Sequence, residues 1–302
     1  MDSVSRLDIT RIFCDVDDFC QQWEIHCSSQ KQLPSVFKNK RNFSRMSISE
    51  IMTIVIAFHG SGFRTFKDFY TRFMMIYGRR AFPKLVSYNR FVELMPWALM
   101  MLCCFLNTRK GEITGISFID STPLEVCCPP RAHCHKVFEG LVNWGKNSTG
   151  WKYGFKLHLI INDKGELLAF KLTPANVDDR KPVLEMTEGL WGKLFGDRGY
   201  ISSDLFEKLY EKGLQLVNKP RKNMKNKLVK LMDKILLRKR ALIESVNDQL
   251  KNICQIEHSR HRSIWNFLVN LFSGLIAYTY LEKKPSLDLE AKGLPALPPA
   301  II

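Results

Sequence analysis

Two aspartates and a glutamate stand where this chain could do chemistry. Asp120 ends the apolar, β-branched run that begins at Ile113, and it is followed by Ser121, Thr122 and Pro123, the last of which cannot continue a central ladder. Asp197 ends a second short run, Lys193 to Gly196, and leads into Arg198, Gly199 and Tyr200. Glu244 lies in a helix-forming stretch, with Arg240, Asp248 and Lys251 on the same helical face and Leu228, Leu231, Ile235, Leu242 and Val246 on another. Singly, each has an ordinary explanation. Asp120 and Ser121 cap a turn, and Glu244 pairs with Arg240 on a solvated face for about 0.3–0.5 kcal/mol. Together, three carboxylates could hold two Mg²⁺ ions, with Mn²⁺ as a possible substitute. Two such ions about 4 Å apart activate a water or a 3′-hydroxyl and stabilise a leaving 3′-oxygen at a phosphodiester. Histidine or cysteine ligands would select other metals.

The elements that must bring these acids together can be read from periodicity. Trp151 to Ile161 alternates Lys152, Gly154, Lys156 and His158 against Tyr153, Phe155, Leu157 and Leu159, which predicts a strand. Asn162 to Gly165 makes a hairpin turn and Glu166 to Thr173 returns antiparallel. Helices are predicted over 178–190 and 203–211, strands over 193–196 and 214–218, and one long helix over 224–255. That order gives an α/β class, an RNase H-like core with a mixed five-stranded sheet and helices. The strands from Ile113 and Lys193 would be parallel neighbours, with Asp120 and Asp197 at the sheet end where open sheets bind ligands.

An all-helical N-terminal region precedes the core. Ser47 caps a helix with Glu50 closing the box, and His59 to Gly62 stops it. A second helix follows over 66–75 and a third over 88–107, kinked at Pro96. Helix, Gly-containing turn and helix with Arg64, Lys67 and Arg72 outward suits a helix-turn-helix-like unit for DNA ends, and equally a plain αα-hairpin. The expected domains are 1–110 (helical), 111–283 (catalytic) and 284–302, a flexible tail without periodicity.

Four stretches carry a resemblance to a known family: Phe118 to Thr122, Gly150 to Glu166, Gly196 to Ser202, and Arg240 to Lys251. They resemble bacterial insertion-sequence transposases of the DDE type, most closely the IS982 family. The resemblance implies a catalytic and metal-holding triad of Asp120, Asp197 and Glu244. It also implies cleavage at element ends, strand transfer into target DNA, and a homodimer or larger synaptic complex on terminal inverted repeats. Arg240, Glu244 and Lys251 match a signature of related IS4-type elements, in which the Arg and Lys are expected to hold terminal DNA. Leu237 stands where those relatives carry Tyr.

The charge balance agrees with a polyanionic partner. The 302 residues hold 45 Lys and Arg against 30 Asp and Glu, a formal charge of +15. Thirteen of those cations against four acids fall between Lys219 and Arg262, among them Arg221 and Lys222, and flank the proposed site as a backbone-binding surface. Arg198 and Tyr200, beside the second acid, are expected to contact phosphate, and Lys156 and His158 to touch DNA. A zinc site at Cys127, Cys128, His133, Cys134 and His135 lacks the usual ligand spacing, so a DNA-facing loop fits better. Asp178 and Asp179 read as acids in the first turn of a helix. The odd number of cysteines and the lack of a leader-like N-terminus point to a reducing cytoplasm. Ile264 to Leu281, broken by Asn266, Asn270, Ser273 and Thr279, reads as a buried helix, so no membrane association is expected. A DNA-binding protein with a silent site, or a nuclease without strand transfer, shares all of these features.

Overall fold

The computed structural model describes residues 7–29, 45–147, 150–219, 230–257 and 261–287. The chain forms two compact units, Met1–Arg109 with Leu250–Leu281, and Lys110–Gln249 with Glu282–Ile302.

The second unit is built on one mixed sheet. Its strands are β1 (Ile116–Cys127), β2 (Asn143–Asn147), β3 (Gly150–Asn162), β4 (Leu167–Pro174), β5 (Gly192–Gly196) and β6 (Leu214–Asn218). The order is β2-β3-β1-β5-β6, with β4 also paired to β3. β1, β3 and β4 are antiparallel, whereas β1, β5 and β6 are parallel. This is the expected RNase H-like arrangement with one strand more than the five predicted. The extra strand is β2, which pairs with the start of β3 from Asn143↔Gly154 to Asn147↔Gly150. Its sequence, Asn-Trp-Gly-Lys-Asn, has no apolar alternation to announce it.

Local chemistry fixes the register. At the β3–β4 turn the Asn162 side-chain oxygen accepts from the amides of Lys164 (3.0 Å) and Glu166 (2.9 Å), and Gly165 supplies the positive φ. Where β1 and β5 begin, Gly115 (φ +82°) and Gly192 (φ +89°) cross so closely that a Cβ on Gly192 would lie 2.3 Å from the Gly115 carbonyl oxygen. From there Ile116 pairs with Lys193, Ser117 with Leu194 and Phe118 with Phe195.

Alternation then sorts the two faces. One carries Ile119, Ile160 and Leu194, packed with Val183, Leu205 and Leu209. The other carries Phe118 and Phe195, whose rings lie 5.5 Å apart, and Lys193, which reaches Asp233 at 2.5 Å. Helices Leu231–Arg238 and Ala241–Asp248 cover this second face through β5, β6 and β1.

Two helical expectations needed correction. The helix predicted over 178–190 is only Val183–Met186, because the Asp178 carboxylate turns back on the Arg180 amide (2.9 Å) and Pro182 precedes the first turn. The long helix is broken at Lys239–Arg240 and ends in a π-helical turn, Gln249–Ile253. Residues 224–229 lie outside the described residues.

The first unit is helical. Ser47 and Glu50 form the predicted capping box on Ile48–Phe58, which is buried almost throughout. The next helical run covers 66–77, with π-helical turns at Phe69–Met74 and with Lys67 and Arg72 exposed. A 3₁₀ turn at Met95–Ala98, holding Pro96, separates Tyr88–Leu94 from Leu99–Thr108. The run Tyr88–Thr108 is long and apolar enough to cross a membrane by length and composition, yet Phe91, Leu94, Leu102 and Phe105 are core residues. Helix Ile264–Thr279 packs on Ile48–Phe58 and Leu99–Thr108, so 250–281 groups with the N-terminal helices and not with the sheet as expected. The tail from 288 lies outside the described residues. The amide of Leu287, the last described residue, donates to the Asp163 carbonyl at 2.7 Å.

Gly192→Ala is expected to destabilise the protein by about 2–4 kcal/mol, since it adds a steric clash to an unfavourable φ. Gly213→Ala, at φ +78° with open space around it, should cost only about 1–2 kcal/mol. Urea unfolding midpoints of the two variants compare these directly.

Candidate active site

Asp120 and Asp197 each follow by two residues the last β1–β5 pair, Phe118↔Phe195, Asp197 standing just past the end of β5. By the two-residue period both acids lie on the Phe118 and Phe195 face. Helix Ala241–Asp248, which packs on β1 over that face, carries Glu244. The three acids named from the sequence are thus brought to one side of the sheet.

Their side chains are held by specific partners. Arg240 donates to the Glu244 carboxylate at 2.6 Å and stands 3.8 Å from that of Asp120. The Asn247 amide nitrogen donates to the other Asp120 oxygen at 3.2 Å. Asp197 accepts from the Gly199 amide at 2.6 Å and so caps the short turn Arg198–Tyr200. Burial raises the Asp120 pKa to about 6; Arg240 and the Ser121 amide oppose the rise, and the charges of Asp197 and Glu244 add to it. Asp120 thus lies within electrostatic reach of both other acids.

Among the described residues no three His, Cys, Asp or Glu side chains converge closely enough to hold a metal ion. The donor chemistry nevertheless fits a hard divalent cation. All three groups are carboxylates, the charges of Asp197 and Glu244 act on a partly buried Asp120, and the guanidinium of Arg240 already lies against Asp120 and Glu244.

The expected DNA contacts fall into separate groups. Arg198 and Lys219 are exposed. Arg221 and Lys222 lie outside the described residues. Lys251 belongs to the helical unit, where it pairs with Glu257 at 2.9 Å. Lys156, His158 and Tyr200 require correction. Ser121 pairs with His158, so Lys156 and His158 occupy the face opposite Asp120. Lys156 donates to Asp179 at 2.8 Å, and His158 is fully buried with Nε2 at 2.9 Å from the Thr173 hydroxyl. Burial lowers the His158 pKa to about 4, so it is neutral at physiological pH. Tyr200 is a core side chain, and its pKa is pushed up first by burial and then by Asp179, Asp120 and Asp197. A group packed inside the protein cannot reach a DNA phosphate. Its part is to support the loop that carries Asp197.

Sequence reasoning missed two contributors. Asn247 lies three residues after Glu244, on the same helical face, and that spacing was a usable signal. Asp179, read as a helix-terminal acid, instead binds Ser121 at 2.9 Å and Lys156, bracing the residue next to Asp120 from behind. Nothing in the sequence shows that link, because the residues are far apart along the chain.

A raised carboxyl pKa makes ionisation of Asp120 costly to the fold. The penalty is absent below the ordinary value near 4, where the group is protonated in both states, and complete above about 6. Asp120→Asn should therefore raise metal-free stability at neutral pH by about 1–3 kcal/mol, an advantage that vanishes near pH 4. Thermal unfolding of both proteins across that range measures it.

A family model for the "Transposase DDE domain" matches residues 110–264. No curated protein matches the chain. Among solved structures, the piggyBac transposase synaptic complex with hairpin DNA matches at 11% identity and a TM-score of 0.47, over 95% of this chain and 75% of that one. The sequence match spans half of the chain and contains all three acids; the chain belongs to the DDE-domain transposase family.

Proposed function

We propose that the protein cleaves DNA at the ends of an insertion sequence and joins those ends to target DNA, with Asp120, Asp197 and Glu244 as its acidic triad. The observation that carries this reading is the shared register of β1 and β5, which aligns two strand-end aspartates beneath the helix bearing Glu244. A finer assignment to the IS982 family is part of the proposal and rests on the sequence stretches quoted above.

The triad is assigned two Mg²⁺ ions, or Mn²⁺ in their place, which when bound would lower the pKa of an attacking water or 3′-hydroxyl and neutralise charge on the leaving 3′-oxygen. Asp120 must be ionised to act as a ligand. Arg240 favours that state by its charge, and Asn247 holds the carboxylate in orientation. Arg240 would exchange Glu244 for a DNA phosphate, since a guanidinium pairs equally well with either anion. Arg198 stands directly beside Asp197 and is exposed, so it is suited to hold the phosphate next to the one being cut. Lys219, Arg221, Lys222 and Lys251 are proposed to bind the flanking backbone of the terminal inverted repeats. A homodimer pairing two ends is proposed for the synaptic complex, in the bacterial cytoplasm.

Alanine at Asp120, Asp197 or Glu244 is expected to reduce Mg²⁺-dependent strand joining by on the order of a thousandfold, while binding to end DNA persists. Near wild-type joining by any of the three would refute the triad, and cleavage without joined products would identify a nuclease. Arg198→Ala should weaken end binding and reduce its salt dependence by about one phosphate contact, which a salt titration of binding reads.

A further inference from the structure

The helical unit contains a cavity of about 710 Å³, separate from the acidic triad, that no step above uses. Its composition is graded. Arg64, Lys67 and Arg262 line it and are exposed, so they form a cationic rim, and no carboxylate lines it among the described residues. Val55 and Phe58 are buried at its floor. Phe66 and Tyr88 supply half-buried aromatic walls with their rings 6.4 Å apart. His261 Nε2 and the Asn266 side-chain oxygen are buried without a hydrogen-bond partner among the described residues. Burial lowers the pKa of both His59 and His261 to about 4, so at neutral pH the interior offers uncharged hydrogen-bonding edges.

We infer that this cavity binds a single unpaired nucleotide of a DNA strand, the phosphate on Arg64, Lys67 and Arg262 and the base against Tyr88 and Phe66. The volume lies in the range of sites for one small molecule, about 300–1,000 Å³. Cations at the mouth match a phosphate, aromatic walls match a base π-face, and the unsatisfied His261 and Asn266 atoms match a base edge. A base stacked in a duplex offers no free face, so the occupant must be unpaired. That the nucleotide is part of DNA rests on the proposed function; the pocket chemistry does not.

The test uses the full chain without divalent ions, so that no strand is cut, and fluorescence anisotropy of a short single-stranded oligonucleotide. An otherwise identical strand with abasic sites and free deoxynucleoside monophosphate as competitor complete it. The expected result is about tenfold weaker binding of the abasic strand, about tenfold weaker binding by Arg64→Glu and by Tyr88→Leu, and competition by the mononucleotide. Tyr88→Leu keeps apolar bulk, and the exposed Arg64→Glu reports even if that variant misfolds. Equal affinity for the abasic strand, or no loss in a folded Tyr88→Leu, would overturn the pocket and leave only electrostatic attraction. Failure of the transposase reading looks different: base-dependent binding intact, with no joined product from any end substrate when Mg²⁺ is restored.

Discussion

The parallel pairing of β1 with β5 is the constraint on which the rest of the second unit depends. Side chains alternate along a strand, so a slip of one residue would send Asp120 and Asp197 to opposite faces. The slip is resisted at the start of the pair, where Gly115 and Gly192 approach too closely for any side chain. It is resisted again on both faces, by Phe118 against Phe195 on one side and the Ile119 and Leu194 cluster on the other. Packing of ordinary apolar residues thereby becomes positional accuracy for two charged ones.

The two faces divide the labour. On the side covered by the helix Ala241–Asp248, Arg240 lies against Glu244 and Asp120, and Asn247 donates to Asp120. On the reverse, Ser121, Asp179 and Lys156 form a polar brace one residue from Asp120, and Tyr200 anchors the chain just after Asp197 in the apolar core. The brace and the Tyr200 anchor thus lie on the face opposite Asp120, while Arg240 and Asn247 hold it from its own side.

Much of this was legible in the sequence because it is written in local periodicity. The antiparallel hairpin, the strands before Asp197 and Asn218, the Ser47 capping box and the helix Ser203–Glu211 all follow from spacing and caps. What was not legible is non-local. The burial of His158 and Tyr200 depends on which face neighbouring strands cover, and the role of Asp179 depends on a contact 58 residues away. The break at Lys239–Arg240 has no Gly or Pro to signal it, and β2 has no alternation. The helix Ile264–Thr279 was correctly read as buried, but sequence order alone could not say that it packs with the N-terminal helices.

Arg240 has a consequence that reaches past its contacts. It offsets the charge of Glu244 and part of that on Asp120, so the fold carries its own counterion. A guanidinium that leaves Glu244 for a DNA phosphate would expose that carboxylate to a cation, and a cation taking the carboxylate would release the guanidinium for DNA. By thermodynamic reciprocity each event would favour the other to the same degree. On the proposed function, one arginine between two acids would couple nucleic-acid binding to metal binding with no movement of the sheet.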